Sequence, residues 1–222
     1  MFFIERMQEG GWMMWVIFGV SIIALAISLE RFYALFLNAR INADAFLKKV
    51  NGLVESGDYS GALKMCNIRT SHPLPTVLKA GISRADRRDK EIERAMEEEV
   101  LHAMPKLQRG VDFLGLLGNS STLLGLLGTI FGLIQAFSGV SAANAAARQQ
   151  VLAEGISMAM YTTAFGLIVA IPILYAHTII SGRADRMVIQ LEEGATALMV
   201  ALSNRARPSA VSRLRQNSAD VA

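Results

Sequence analysis

Charge is scarce in this sequence, and its scarcity is local. Gly10 to Leu29, Phe113 to Ala147 and Gly155 to Gly182 hold no Asp, Glu, Lys or Arg, although charged residues make up 18% of the 222. Apolar residues reach 52%, and mean hydropathy is +0.36. A soluble domain interleaves its apolar residues with charge at helix or strand periodicity, so pooling of this kind indicates a membrane protein. Cysteine is nearly absent: a single Cys66 excludes a disulfide scaffold. The low charge likewise excludes a largely disordered chain. Histidine is sparse too, and His72, His102 and His177 show no metal-ligand spacing. The net charge of +3 calls for no nucleic acid, because a charge bias across a bilayer accounts for it.

Crossing about 30 Å of hydrocarbon takes about 20 apolar residues in a helix. The first block, GGWMMWVIFGVSIIALAISL, qualifies, with Trp12 and Trp15 as interfacial anchors at one end and Glu30, Arg31 and Tyr33 at the other. Its flank MFFIERMQEG is not net basic and its apolar run is long, so it reads as a span in preference to a cleaved signal. The second block would be about 52 Å long as one helix, and its small, weakly polar end GVSAANAAA reads as a connection. The third block contains Pro172, which a membrane helix tolerates when neighbours satisfy the freed carbonyl. The fold class is therefore all-α: an integral membrane protein with three transmembrane helices and long cytoplasmic helical extensions.

Outside the spans, Lys and Arg number one before the first (Arg6) and one between the second and third (Arg148), against thirteen from Arg40 to Arg109 and six from Arg183 to Arg215. The positive-inside rule puts the N-terminus outside and the C-terminus in the cytoplasm. The expected division is residues 1–10 periplasmic, 11–37 first span, 38–111 cytoplasmic helical domain, 112–138 second span, 139–153 periplasmic loop, 154–182 third span, 183–207 cytoplasmic helix and 208–222 disordered tail. Within the cytoplasmic domain two amphipathic helices flank a turn at Ser56–Asp58, with Gly57 as the stop, and Pro73 and Pro75 impose a second break. From Asp89, the stripe Ile92, Met96, Val100, Met104, Leu107 and Val111 leads straight into the second span. Glu97, Glu98 and Glu99 read as a solvated helix face in preference to a docking patch.

The spans carry small residues at steps of three or four. Gly115, Gly118, Thr122, Gly125, Gly128 with Thr129, and Gly132 form one set; Gly155, Ala159, Thr162 with Thr163, Gly166 and Ala170 form the other. Such faces permit close helix packing, which alone does not separate a channel from an inert scaffold. Threonines within hydrocarbon need partners; they relay a hydrogen bond but do not store a proton. No carboxylate, lysine or histidine lies at a predicted midplane, so any titrating group for proton transfer must come from another polypeptide. Enzyme chemistry finds no support: the glycines of GLLGLLGTIFG lack the lysine of a phosphate loop and sit inside a span.

The stretches LLGLLGTIFGLIQAF and GISMAMYTTAFGLIVAIP closely resemble the signature of the ExbB/TolQ/MotA proton-channel family. LERF, GDYSGAL and AMEEEV...LQRGVDFLGLLGN resemble its ExbB/TolQ branch, and three spans fit that branch where four would mark a flagellar-motor member. The resemblance implies a homo-oligomer, a pentamer, in the bacterial inner membrane. It surrounds an ExbD/TolR-like single-span protein whose transmembrane aspartate carries the proton, and the assembly acts through a TonB/TolA-like protein. Thr129 and Thr163 match the family threonines that face that aspartate, with Thr162 and Thr122 beside them. The implied function is a motor subunit driven by the proton motive force; the alternative is a passive scaffold without ion flux. No cofactor or metal is implied. Two departures stand out: Met158 where many transport-branch members carry glutamate, and Thr122 where they carry proline. Glu154, one turn from Met158, is the candidate at the outer entrance.

Overall fold

A computed structural model describes residues 10–39, 41–68, 70, 72–142 and 144–206. Among the described residues seven α-helices follow in order: α1 Gly11–Phe32, α2 Ala43–Ser56, α3 Tyr59–Cys66, α4 Leu74–Ile82, α5 Asp89–Gln108, α6 Val111–Ala142 and α7 Arg148–Ala206. A π-helical turn, Tyr33–Asn38, follows α1. No strand occurs among the described residues. Three stretches, Gly11–Leu37, Asp89–Ser141 and Arg148–Asn204, contain a helix long and apolar enough to cross a membrane. The expected periplasmic N-terminus, apart from Gly10, and the expected tail 208–222 lie outside the described residues.

The chain forms two compact units, one from residues up to Phe32 and Arg109–Ser181, the other from Tyr33–Gln108 and Gly182 onward. In the first unit α1 packs along α6. Met13, Met14, Ile17 and Ala24 recur at helical spacing and are buried, whereas Trp12, Trp15, Leu25 and Leu29 point outward. An apolar outer surface of this kind is what lipid or a neighbouring membrane helix requires. Trp12 also meets Phe131 edge to face, with ring centroids 5.7 Å apart, tying the start of α1 to α6.

In the second unit, local chemistry sets each helix end. Asn42 caps α2 by accepting from Ala45 N at 3.3 Å. Gly57 ends it at φ 93°, a left-handed conformation that only glycine adopts cheaply, and donates to the Leu53 and Val54 carbonyls. Asp58 then caps α3 by accepting from Gly61 N at 2.8 Å. Pro73 precedes α4 and Pro75 sits in its first turn, where a missing N–H costs nothing. The core is Leu74, Leu78, Ile92, Met96, Met187, Leu191 and Leu198, all fully buried.

The helices do not stop where the apolar blocks stop. α6 runs on to Ala142 and α7 begins at Arg148, so the connection expected over 139–153 shrinks to a turn around residues 144–147. Gly139–Ala142 continue α6 and Arg148–Ala153 already belong to α7, so both ends of the expected loop are helical. Nor does α5 pass straight into α6: Gly110 at φ 80° interrupts the helix before Val111. A Cβ there would also lie 3.0 Å from Arg31 Nε, so both backbone and space call for glycine.

Candidate functional site

The two small-residue faces meet. A Cβ built on Gly132 would lie 2.8 Å from Ala159 N and 2.9 Å from the Gly155 carbonyl oxygen, and one on Gly166 would lie 2.9 Å from both Gly125 Cα and the Ser121 carbonyl oxygen. Gly128 faces Thr162, Gly118 faces Leu174, and Gly115 faces His177. Positions rise along α6 as they fall along α7, so the helices are antiparallel and their backbones touch. The seven glycines singled out from sequence, Gly115, Gly118, Gly125, Gly128, Gly132, Gly155 and Gly166, are all buried.

The four threonines divide. Thr162 is fully buried in the seam against Gly128, its hydroxyl donating to the Ala159 carbonyl at 2.9 Å and the Met158 carbonyl at 3.1 Å. Thr163, half-buried, lies within reach of two carbonyls: Ala159 in its own turn at 3.2 Å and Gly125 across the seam at 3.3 Å. Thr122 and Thr129 stand beside the seam. Thr122 is exposed, and Thr129 is half-exposed with its hydroxyl on the Leu126 carbonyl at 2.6 Å. Two helical turns separate them, so they share one line on α6.

Ser121 takes the seam position that sequence spacing had given to Thr122. It is fully buried and its hydroxyl donates to the Leu117 carbonyl at 2.9 Å. The strict alternation of three and four through Gly118, Ser121, Gly125, Gly128 and Gly132 was the available signal. Glu154 is exposed and accepts from Gln150 Nε2 at 3.0 Å. Met158, one turn on, packs its methyl end against Gly11 at the start of α1. Among the described residues no group of His, Cys, Asp and Glu is placed to hold a metal ion.

Two buried titratable groups lie in the second unit. Burial pushes the Cys66 thiol up to about 11, against a smaller opposing pull from Lys79. Burial holds His72 below its ordinary value; a hydrogen bond with Gln190 opposes this, and the Arg183 charge adds to it. His72 Nδ1 accepts from Leu74 N at 3.2 Å, so the imidazole helps start α4.

The family model for the MotA/TolQ/ExbB proton channel family matches residues 69–193, a stretch that contains α4, α5, α6 and most of α7. The chain belongs to this family. It is 30% identical over 193 residues to the biopolymer transport protein exbB1 of Vibrio cholerae, covering 85% of this chain and 83% of that one. It is 33% identical over 97 residues to the Tol-Pal system protein TolQ of Pseudomonas aeruginosa, covering 44% and 42%. A chain in the solved structure of C. jejuni MotAB superposes with a TM-score of 0.61 at 17% identity, covering 83% of this chain and 74% of that chain, and shows the same fold. In this member of the family the glycine seam is the contact between α6 and α7, and the family is one of proton channels.

Proposed function

We propose that this chain is the channel subunit of an ExbB–ExbD-like or TolQ–TolR-like complex, which uses the proton motive force to drive a partner acting on the periplasm or outer membrane. The observation that carries the reading is a mismatch within a proton channel family member: both helices of the seam are free of Asp, Glu, Lys and Arg from Phe113 to Ala142 and from Gly155 to Gly182. A threonine-lined surface without a titrating group needs one supplied. The supplier is a single-span ExbD/TolR-like protein with a membrane aspartate, enclosed by a pentamer of this chain. Thr129 and Thr163 face that aspartate, flanked by Thr122 and Thr162, and Glu154 lies at the outer entrance. The basic residues concentrated in 40–109 and 183–215 support an inner-membrane topology with the N-terminus periplasmic and the C-terminus cytoplasmic. A TonB/TolA-like protein receives the movement.

The test is Thr129→Ala and Thr163→Val in cells. Each abolishes proton-driven work while the complex still purifies intact; full activity in both variants overturns the path. A passive scaffold predicts a different result, since its process would continue in the presence of a protonophore.

A further inference from the structure

The second unit carries a groove of about 430 Å³ between α5 and α7. Val100, Met104 and Met199 form its apolar floor, Glu93, Glu97 and Glu192 stand along it, and none of the residues lining it is basic. All three glutamates are exposed, so each is free to meet an incoming cation. An adaptable methionine floor edged by like charge fits a short segment that alternates apolar and basic side chains.

We propose that the occupant is this chain's own segment Arg207–Arg215. It reads RPSAVSRLR, with three arginines, no acid, and Val211 and Leu214 three residues apart. Pro208 donates no backbone N–H and biases Arg207 away from helical geometry, which favours the segment turning off the axis of α7. The departure point is close. Met199 precedes the last residue of α7, Ala206, by about 10 Å of helix. The nine residues of the segment span about 30 Å when extended, enough to turn back and run along the groove. A covalent tether also holds the segment at an effective concentration of about millimolar, an advantage that a second copy or a basic partner lacks.

The experiment uses the full chain in lipid nanodiscs, in a Cys66→Ala background with spin labels at Val200→Cys and Ser212→Cys. Pulsed double-resonance distances are then measured after co-expression with an excess of unlabelled chains. Docking gives a narrow short-distance population that survives this dilution. Glu93→Lys with Glu97→Lys abolishes it, and adding Arg213→Glu with Arg215→Glu restores it. Three results overturn the proposal: a broad long-distance distribution in the unmodified groove, a short distance indifferent to charge reversal, or one lost on dilution, which would make a neighbouring copy the source. None of these readouts requires proton flux, so the proposal stands or falls separately from the channel function.

Discussion

Gly132→Ala puts one methyl into the closest part of the seam. The added carbon would sit 2.8 Å from Ala159 N, 2.9 Å from its Cβ and 2.9 Å from the Gly155 carbonyl oxygen. Non-bonded carbon contacts are optimal at about 3.5–4.0 Å, and two of the three obstacles are backbone, so no rotamer change relieves them. α6 and α7 must move apart locally by at least about half an ångström, and overpacking of this kind costs about 1–3 kcal/mol. Alanine also gains about 1 kcal/mol of helix propensity over glycine, which masks part of the loss. Gly19→Ala supplies the control, because Gly19 lies inside α1 with nothing within 4 Å of a built Cβ. The propensity gain is common to both, so the difference between the two variants isolates the steric cost, and Gly132→Ala should be the less stable by about 1–3 kcal/mol. Denaturant titration in bicelles, followed by circular dichroism, measures it. Equal midpoints for the two variants would refute the claim that the backbones touch here.

Three further expectations concern the second unit. At pH 8 Cys66, buried and with its thiol pushed up to about 11, should resist iodoacetamide until the chain is denatured, and prompt alkylation of the folded protein would contradict its placement. His72 is held below its ordinary 6.5, so near neutrality both folded and unfolded forms are uncharged; as pH falls below 6.5 the unfolded chain takes up the proton first and stability drops. His72→Asn should flatten that slope between pH 7.5 and 5, and an unchanged slope would assign it to other groups. Asp58→Ala removes the cap on α3 and should cost about 1 kcal/mol, with Asp58→Asn recovering most of it in the same melting experiment.

The membrane helices were legible because block hydropathy needs only a window of sequence, and the turn at Gly57–Asp58 was legible because its glycine and cap act within a few residues. The glycine seam was legible for a related reason: close approach of two helices requires missing side chains, and missing side chains leave a periodic record. Steps of three and four, however, admit two tracks through residues 118–125, one through Thr122 and one through Ser121. Only the folded packing, which buries Ser121 and leaves Thr122 exposed, decides between them. The break at Gly110 was hidden for another reason. The apolar stripe stays in phase through Leu107 and Val111, and the Arg31 side chain that crowds Gly110 is distant in sequence. Groove charge was hidden as well, since Glu192 joins Glu93 and Glu97 only after α7 folds onto α5.

If the proposed function holds, the hydrogen bonding of the threonines bears on which state of a partner carboxyl the surface would receive. A hydroxyl has one proton to donate and two lone pairs with which to accept. Thr129 donates to the Leu126 carbonyl, Thr162 to carbonyls of its own helix, and Thr163 to the carbonyl of Ala159 or Gly125. Each proton is therefore committed to backbone, and what each side chain has left to offer is an acceptor. A protonated aspartic acid arriving beside Thr129 or Thr163 can donate to that acceptor without disturbing any existing bond. An ionised aspartate, which only accepts, has to draw the hydroxyl proton away from the carbonyl it already serves. The same apolar surroundings already disfavour the charged form. On the proposed function, in which a partner aspartate meets Thr129 and Thr163, burial and hydrogen bonding thus act in one direction, toward the protonated carboxyl.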